Sequence, residues 1–329
     1  MITTIHETDL FRPHGDPDDH FDLACQYALH KMGRHRLAGI MIDYPPRVRD
    51  GRGAQPDVLA VAQMNYLTGS SVPVGIGAPD TEPEAESSGM TLLIDTLRAS
   101  EDKVTIHIVG SSRDVAAALT RAPELFEEKC AGIYLNAGSG TENGLLEWNV
   151  RLDPAAYSAV FSARCPVYWM PCFEKVADGK RGEDMTVGRY GTFYRFTMGE
   201  ILPKLSHEMQ NFFLGMLNRE TTSDWLETLE RDVDDALLRM FSRMPRNMWC
   251  TGGFLHAVGL GVSKDGEIVS KDDENAVYRF TPVRVSCSRD GRTAWHTDEK
   301  SDRCIFTVTD PQRYPEAMTK AMCTLLTTL

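Results

Sequence analysis

The residues best suited to chemistry are carboxylates gathered near the start of the chain: Glu7, Asp9, Asp16, Asp18, Asp19 and Asp22. Carboxylates held so close repel one another unless a positive charge offsets them. A hard, oxygen-seeking cation such as Ca²⁺ or Mg²⁺ does this. Such an ion also lowers the pKa of a bound water, which beside a carboxylate base becomes a nucleophile. Asp18 and Asp19 have a plainer use as well, capping the helix that follows and favouring its positive end. Their spacing is not that of an EF-hand loop.

A second group is Glu147-Trp148-Asn149, followed by Asp153-Pro154. In an extended segment Glu147 and Asn149 point the same way and Trp148 the other. Together they offer a charged acceptor and an amide to a ligand bearing adjacent hydroxyls. Asp153-Pro154 reads as a helix start, the acid as cap and the proline at the first position. His256, beside Gly252-Gly253 and Leu255, is either a satisfied core histidine or a general acid at a leaving group. Asn136, in a glycine-containing loop after a strand, is a further ligand contact. Gly110-Ser111-Ser112 is too short for a phosphate loop. No P-loop, dinucleotide fingerprint or G-x-S-x-G elbow is present.

These residues need elements to carry them. Ile2–Ile5 reads as a strand ending in Glu7-Thr8-Asp9, and Asp18–Leu29 has helical apolar spacing. Strand and helix then alternate: Leu37–Ile42, Val58–Leu67, Val72–Ile76, Met90–Leu97, Val104–Val109, Asp114–Leu119, Ile133–Leu135, Asp153–Phe161 and Val167–Met170. That rhythm predicts an α/β fold with an open, mostly parallel sheet flanked by helices. Such sheets bind ligands at their carboxyl edge. After Cys172 the rhythm changes. Phe173–Gly191 is a polar loop, Phe193–Leu217 is apolar and helical, and Leu226–Met244 is another helix ended by Pro245. Val277–Cys287 and Cys304–Val308 are strands, and Pro315–Leu326 is a closing helix. The reading is a single domain over residues 1–329 with a mainly helical excursion at about 193–247.

Composition sets the partners. Acidic residues outnumber basic ones 47 to 35, so the net charge of -12 disfavours nucleic acid and anionic membranes. The 8 cysteines are scattered without a CxxC pair, as expected of reduced thiols. No apolar run is long enough to cross a membrane, and the N-terminus turns acidic too soon for a signal peptide. The expected location is the cytoplasm.

Taken together, these residues resemble the inosine–uridine preferring nucleoside hydrolases. That family opens with a strand and D-x-D-P-G-x-D-D, where this chain has Glu7-Thr8-Asp9, a longer loop and Asp18-Asp19. Its G-P-L-T-N-I-A matches Gly110-Ser111-Ser112-Arg113-Asp114-Val115-Ala116, and its M-G-G matches Asn136-Ala137-Gly138. Its E-F-N and D-P-E-A-A match Glu147-Trp148-Asn149 and Asp153-Pro154-Ala155-Ala156. Its C-terminal H-D is matched to His256-Ala257, so one acid is missing.

The resemblance implies a nucleoside hydrolase-like fold, a homo-oligomer and a small nucleoside or N-riboside as substrate. It implies that Asp9, Asp19 and the Arg113 carbonyl bind Ca²⁺ and that Asp9 activates the water. It implies that Asp18, Asn136, Glu147 and Asn149 contact the ribose and that His256 assists departure of the base. The acid absent at Ala257 weakens Ca²⁺ binding unless Asp16 in the longer loop, Asp22 or a water takes its place. The alternative is a catalytically impaired sugar-binding or scaffold protein that keeps the fold.

Overall fold

The computed structural model describes residues 1–12, 17–45, 54–79, 86–141, 145–175, 185–220 and 224–329. The chain begins with β1 (Ile2–Thr8), the short β2 (Phe11–Arg12) and α1 (Asp18–Lys31). Next come β3 (His35–Ile42), β4 (Gln55–Pro56), which pairs with β2, and α2 (Val58–Thr68). Then follow β5 (Val74–Ile76), α3 (Ser88–Ala99), β6 (Val104–Ile108), α4 (Arg113–Arg121) and α5 (Pro123–Lys129). The alternating part ends with β7 (Cys130–Leu135), α6 (Trp148–Leu152), α7 (Pro154–Val160) and β8 (Val167–Trp169).

The helical excursion is closed at its neck by β9 (Tyr194–Thr197) and β10 (Pro245–Met248), which pair antiparallel. Between them lie two 3₁₀ turns, α8 (His207–Leu217), α9 (Trp225–Glu230) and α10 (Asp235–Ser242). The sequence reads this segment as two long helices. The alternation Tyr194/Phe196 buried and Arg195/Thr197 exposed makes its first residues a strand instead. The chain then forms α11 (Thr251–Ala257) and a hairpin of β11 (Leu260–Val262) and β12 (Ile268–Ser270). It ends with β13 (Tyr278–Cys287), β14 (Thr293–Thr297), β15 (Arg303–Val308) and α12 (Tyr314–Leu326).

Among the described residues nine strands form the main sheet, in the order β14-β13-β15-β8-β7-β6-β1-β3-β5. From β15 to β5 neighbouring strands run parallel, and β13 and β14 add an antiparallel edge. The chain leaves β1 outward through β3 to β5, then crosses back to place β6 on the other side of β1. The carboxyl end of β1 is therefore the topological switch point, where the crossovers diverge and leave a crevice. One apolar cluster includes residues of α1, α8, α11 and α12, and a second is built around α3, α4, α7 and the buried face of the central strands. Burial on both faces explains the continuous apolar run Leu37–Ile42 of β3; β6 is buried throughout as well, although it carries Thr105 and His107.

β1 is longer than its apolar residues suggest. His6, Glu7 and Thr8 are buried within it, so the carboxyl of Glu7 lies inside the sheet and not in a loop after it. Among the described residues no helix is long and apolar enough to cross a membrane.

Candidate active site

The switch point gathers side chains from four strand ends. Asp9 follows β1, Asp43 follows β3, Gly110 to Ser112 follow β6, and Asn136 follows β7. The start of α1 faces the same crevice, because the Thr8 hydroxyl donates to Asp19 Oδ1 at 2.8 Å. Burial first, and then the charge of Asp9, pushes up the carboxyl of Asp19, which also hydrogen-bonds Asp9. Glu7, Asp22, Asp43 and Glu147 are likewise pushed up mainly by burial, and Asp9 contributes to each. Asp9 thus stands at the centre of an acidic group drawn from distant parts of the chain. Asp22 rises to about 8 and Asp43 to about 7.

Glu7 and Asp43 form a buried pair joined by a hydrogen bond, which requires one of the two to carry a proton. The Ser111 amide donates to Asp43 Oδ2 at 2.6 Å, and the Gly110 amide donates to Glu7 Oε2 at 3.4 Å. Gly110 must lack a side chain here: a Cβ would meet Asp43 Oδ2 at 2.7 Å and Glu7 Oε1 at 3.1 Å. Gly110→Ala is therefore expected to lower stability by about 1–3 kcal/mol, as overpacking does. Chemical denaturation checks this, and an unchanged midpoint would show that the pair has room to move.

Asn136 holds the floor in place. Its amide nitrogen donates to Met170 O at 2.9 Å and to Thr192 Oγ1 at 3.0 Å. Its Oδ1 accepts the thiols of Cys172 at 3.5 Å and Cys250 at 3.3 Å. With both donors and the acceptor engaged, its side chain positions neighbours and is not presented to a ligand, contrary to the sequence expectation. Asn149 donates to Val109 O at 3.0 Å and Asn136 O at 3.2 Å, which uses both amide hydrogens and leaves Oδ1 to accept from a hydroxyl.

Glu147 is not in an extended segment. It caps α6, accepting from Asn149 N at 2.9 Å, Gly138 N at 3.0 Å and Val150 N at 3.4 Å. The turn sends Glu147 and Asn149 inward and leaves Trp148 41% exposed. Glu147 lies near enough to Asp9 to feel its charge. The inosine-uridine preferring nucleoside hydrolase family model matches residues 46–245.

The chain belongs to that family.

Similar proteins bear on the match differently. Pyrimidine-specific ribonucleoside hydrolase RihA of Enterobacter sp. (strain 638) is 30% identical over 114 residues, 34% of this chain and 36% of that protein. RihA of Escherichia coli O1:K1 is 34% identical over 104 residues, 31% of this chain and 32% of that protein. The chain spans about a third of the length of these relatives. A purine-preferring ribonucleoside hydrolase from Gardnerella vaginalis shares the fold, with a TM-score of 0.58 at 16% identity, covering 99% of this chain and 100% of that one. The type III effector XopQ, solved with adenosine diphosphate ribose, shares it with a TM-score of 0.51 at 14% identity, covering 99% and 94%.

Within this nucleoside hydrolase fold, Arg113 opens α4 and turns its guanidinium away from the acids. It donates to Ala78 O at 3.2 Å, and its Nε lies 3.8 Å from Asp153 Oδ2. His256 lies in the last turn of α11, where Tyr134 OH and His256 Nδ1 are 2.8 Å apart and the ring packs against Phe280 and Tyr168. Burial lowers its pKa to about 3. The structure does not bring His256 to the carboxylates.

Ala257, the last residue of that helix, packs against the core. The residue of α11 that faces the acids is Cys250 at its start, hydrogen-bonded to Asp22 and near enough to Asp18 to feel its charge. Asp16 lies outside the described residues. Asp43 and Cys250 are the site residues to which the sequence reading gave no role, and nothing local marked Cys250; Asp22 entered it as one of the acids and as a substitute for the missing metal ligand.

The donor chemistry fits a hard cation such as Ca²⁺. The carboxyls are crowded enough to raise one another's pKa, and Asp22 Oδ1 is buried without a hydrogen-bond partner among the described residues. Among the described residues, however, no three His, Cys, Asp or Glu side chains stand together as a group that could hold a metal ion.

Proposed function

We propose that the chain binds the ribose of an N-riboside at this switch point and hydrolyses its N-glycosidic bond. The observation that supports the reading is Asp9 at the centre of the buried carboxyls, near enough to act on Glu147, the cap of the turn that carries Asn149. A ribose offers adjacent hydroxyl donors, and the site offers acceptors in return from Asp18 and Asn149, with Glu147 fixing the turn that places Asn149. Cleavage leaves positive character on the sugar, and negative side chains placed beforehand stabilise it.

Asp9 takes a proton from the attacking water. The new bond forms between that oxygen and the anomeric carbon, the carbon–nitrogen bond breaks, and its electron pair and a proton go to the departing base. Asp9 and Asp19, with the Arg113 carbonyl, are the residues that would hold Ca²⁺. When bound it supplies the positive charge that lets these carboxyls ionise together and makes a neighbouring water more acidic.

The second reading is ribose binding without cleavage. Cys250 favours it, since it sets a neutral thiol beside Asp22 where another carboxylate would complete an oxygen donor set. Incubating the purified chain with purine and pyrimidine ribonucleosides, with Ca²⁺ or with chelator, separates the two. Release of free base supports hydrolysis, and ribose binding without release supports the second reading. Neither binding nor release at saturating Ca²⁺ would remove both.

A further inference from the structure

At the opposite edge of the sheet two cysteines meet. Cys130 opens β7 and Cys165 lies two residues before β8, and the strands pair with Ile133 opposite Val167. The two cysteines are therefore one step out of register at the entrances of neighbouring strands. Regular strand spacing puts their Cα atoms about 6 Å apart, inside the window of about 4.4–6.8 Å that a disulfide spans. A side-chain hydrogen bond already joins them. Arg303 donates to the Cys165 carbonyl at 3.0 Å, and Lys103 also lies near enough to act on both thiols.

We propose that Cys130 and Cys165 form a dithiol that a hydroperoxide closes into a disulfide, stapling the starts of the two strands whose far ends carry Asn136 and Cys172. Cys165 is the attacking sulfur. The hydrogen bond with Cys130, and then Arg303, draws its thiol down. Burial instead pushes up Cys25, Cys172, Cys250, Cys304 and Cys323. A low-pKa thiol near positive charge is the reactive kind. Cys165 is 3% exposed and follows the exposed Arg164 in the chain, whereas Cys130 is fully buried, so Cys165 is the nearer of the two to the surface.

The Cys165 thiolate attacks one peroxide oxygen and the O–O bond breaks. The leaving oxygen takes up the proton that Cys165 gave up and departs as water, or as an alcohol from an alkyl hydroperoxide. The resulting sulfenic acid is then attacked by Cys130. The S–S bond forms, the S–O bond breaks, and the hydroxyl leaves as water with the Cys130 proton. The two sulfurs lose two electrons in total and the peroxide gains them.

The test treats the full chain with hydrogen peroxide, alkylates the remaining thiols after denaturation, and maps peptides without reductant. The expected result is a Cys130–Cys165 cross-linked peptide that dithiothreitol reverses, with the other cysteines alkylated. Cys165→Ser should slow oxidation of Cys130 by about tenfold or more, and Cys130→Ser should leave Cys165 as a sulfenic acid that a dimedone probe traps. Cys130 and Cys165 still alkylated after other cysteines have oxidised would overturn the proposal. So would a Cys165→Ser chain whose Cys130 oxidises at the parental rate.

Discussion

Asp9→Asn should do two opposite things. Base release from a ribonucleoside should fall by about 10²–10⁴, the contribution usual for a general base. The cation-free chain should meanwhile become more stable, with a midpoint higher by about 2 °C or more. The reason is the position of Asp9: its charge raises the carboxyls of Glu7, Asp19, Asp22, Asp43 and Glu147, after burial the shared cost of the site. Removing that charge while keeping the shape relieves all of them. Thermal unfolding and a base-release assay on the same preparation check both halves. Lost stability together with retained hydrolysis would place Asp9 in the scaffold and not in the chemistry.

Stability should also fall as pH rises, the reverse of the usual behaviour of salt-bridged carboxylates. Asp22 sits at about 8 and Asp43 at about 7 in the folded chain. An unfolded aspartate has a pKa of about 3.9. The folded state therefore binds more protons between these values, so the stabilising contribution is complete below about pH 4 and is lost as pH climbs through about 7 to 8. Each pKa unit corresponds to about 1.4 kcal/mol, so the combined loss across this window is on the order of several kcal/mol. Urea unfolding at a series of pH values in chelator should show it. Saturating Ca²⁺ should flatten the curve, because a cation stabilises the ionised acids that the protons otherwise neutralise. Stability that rises from pH 5 to pH 8 in chelator would mean the acids are spread further apart than described.

How much of this could be read beforehand depended on the kind of residue involved. β3 announced itself through the unbroken apolar run Leu37–Ile42, because a parallel strand covered on both faces favours such residues, and β6 did so through the β-branched residues Val104, Ile106 and Ile108. β1 looked shorter than it is, since burying Glu7 and Thr8 is rewarded only once the loop after β6 and a helix start exist to satisfy them. Glu147 and Asn149 were identified by residue type but given an extended backbone. A helix of 5 residues is too short to show an apolar period, and its signal was the acid that caps it.

Cys250 escaped because local letters drew attention to His256 and Ala257. Which end of α11 faces the acids is decided by packing, with Phe254 against His6 and His256 among the rings of Tyr134, Tyr168 and Phe280. The Glu7–Asp43 pair depends on two strands meeting side by side, a long-range pairing that neither segment reveals alone.

The central placement of β1 has a consequence for how the molecule comes into being. Its two partners are β3 and β6, and Glu7 pairs with Met41 on one side and Ile108 on the other. During synthesis β1 emerges before both partners, gains β3 early, and keeps an open hydrogen-bonding edge until β6 has been synthesised. An open strand edge invites other nascent chains. Here that edge carries a glutamate and a histidine where a purely apolar strand would carry valine or isoleucine. The same acid that later lies in the crevice thus discourages premature sticking while the chain is incomplete.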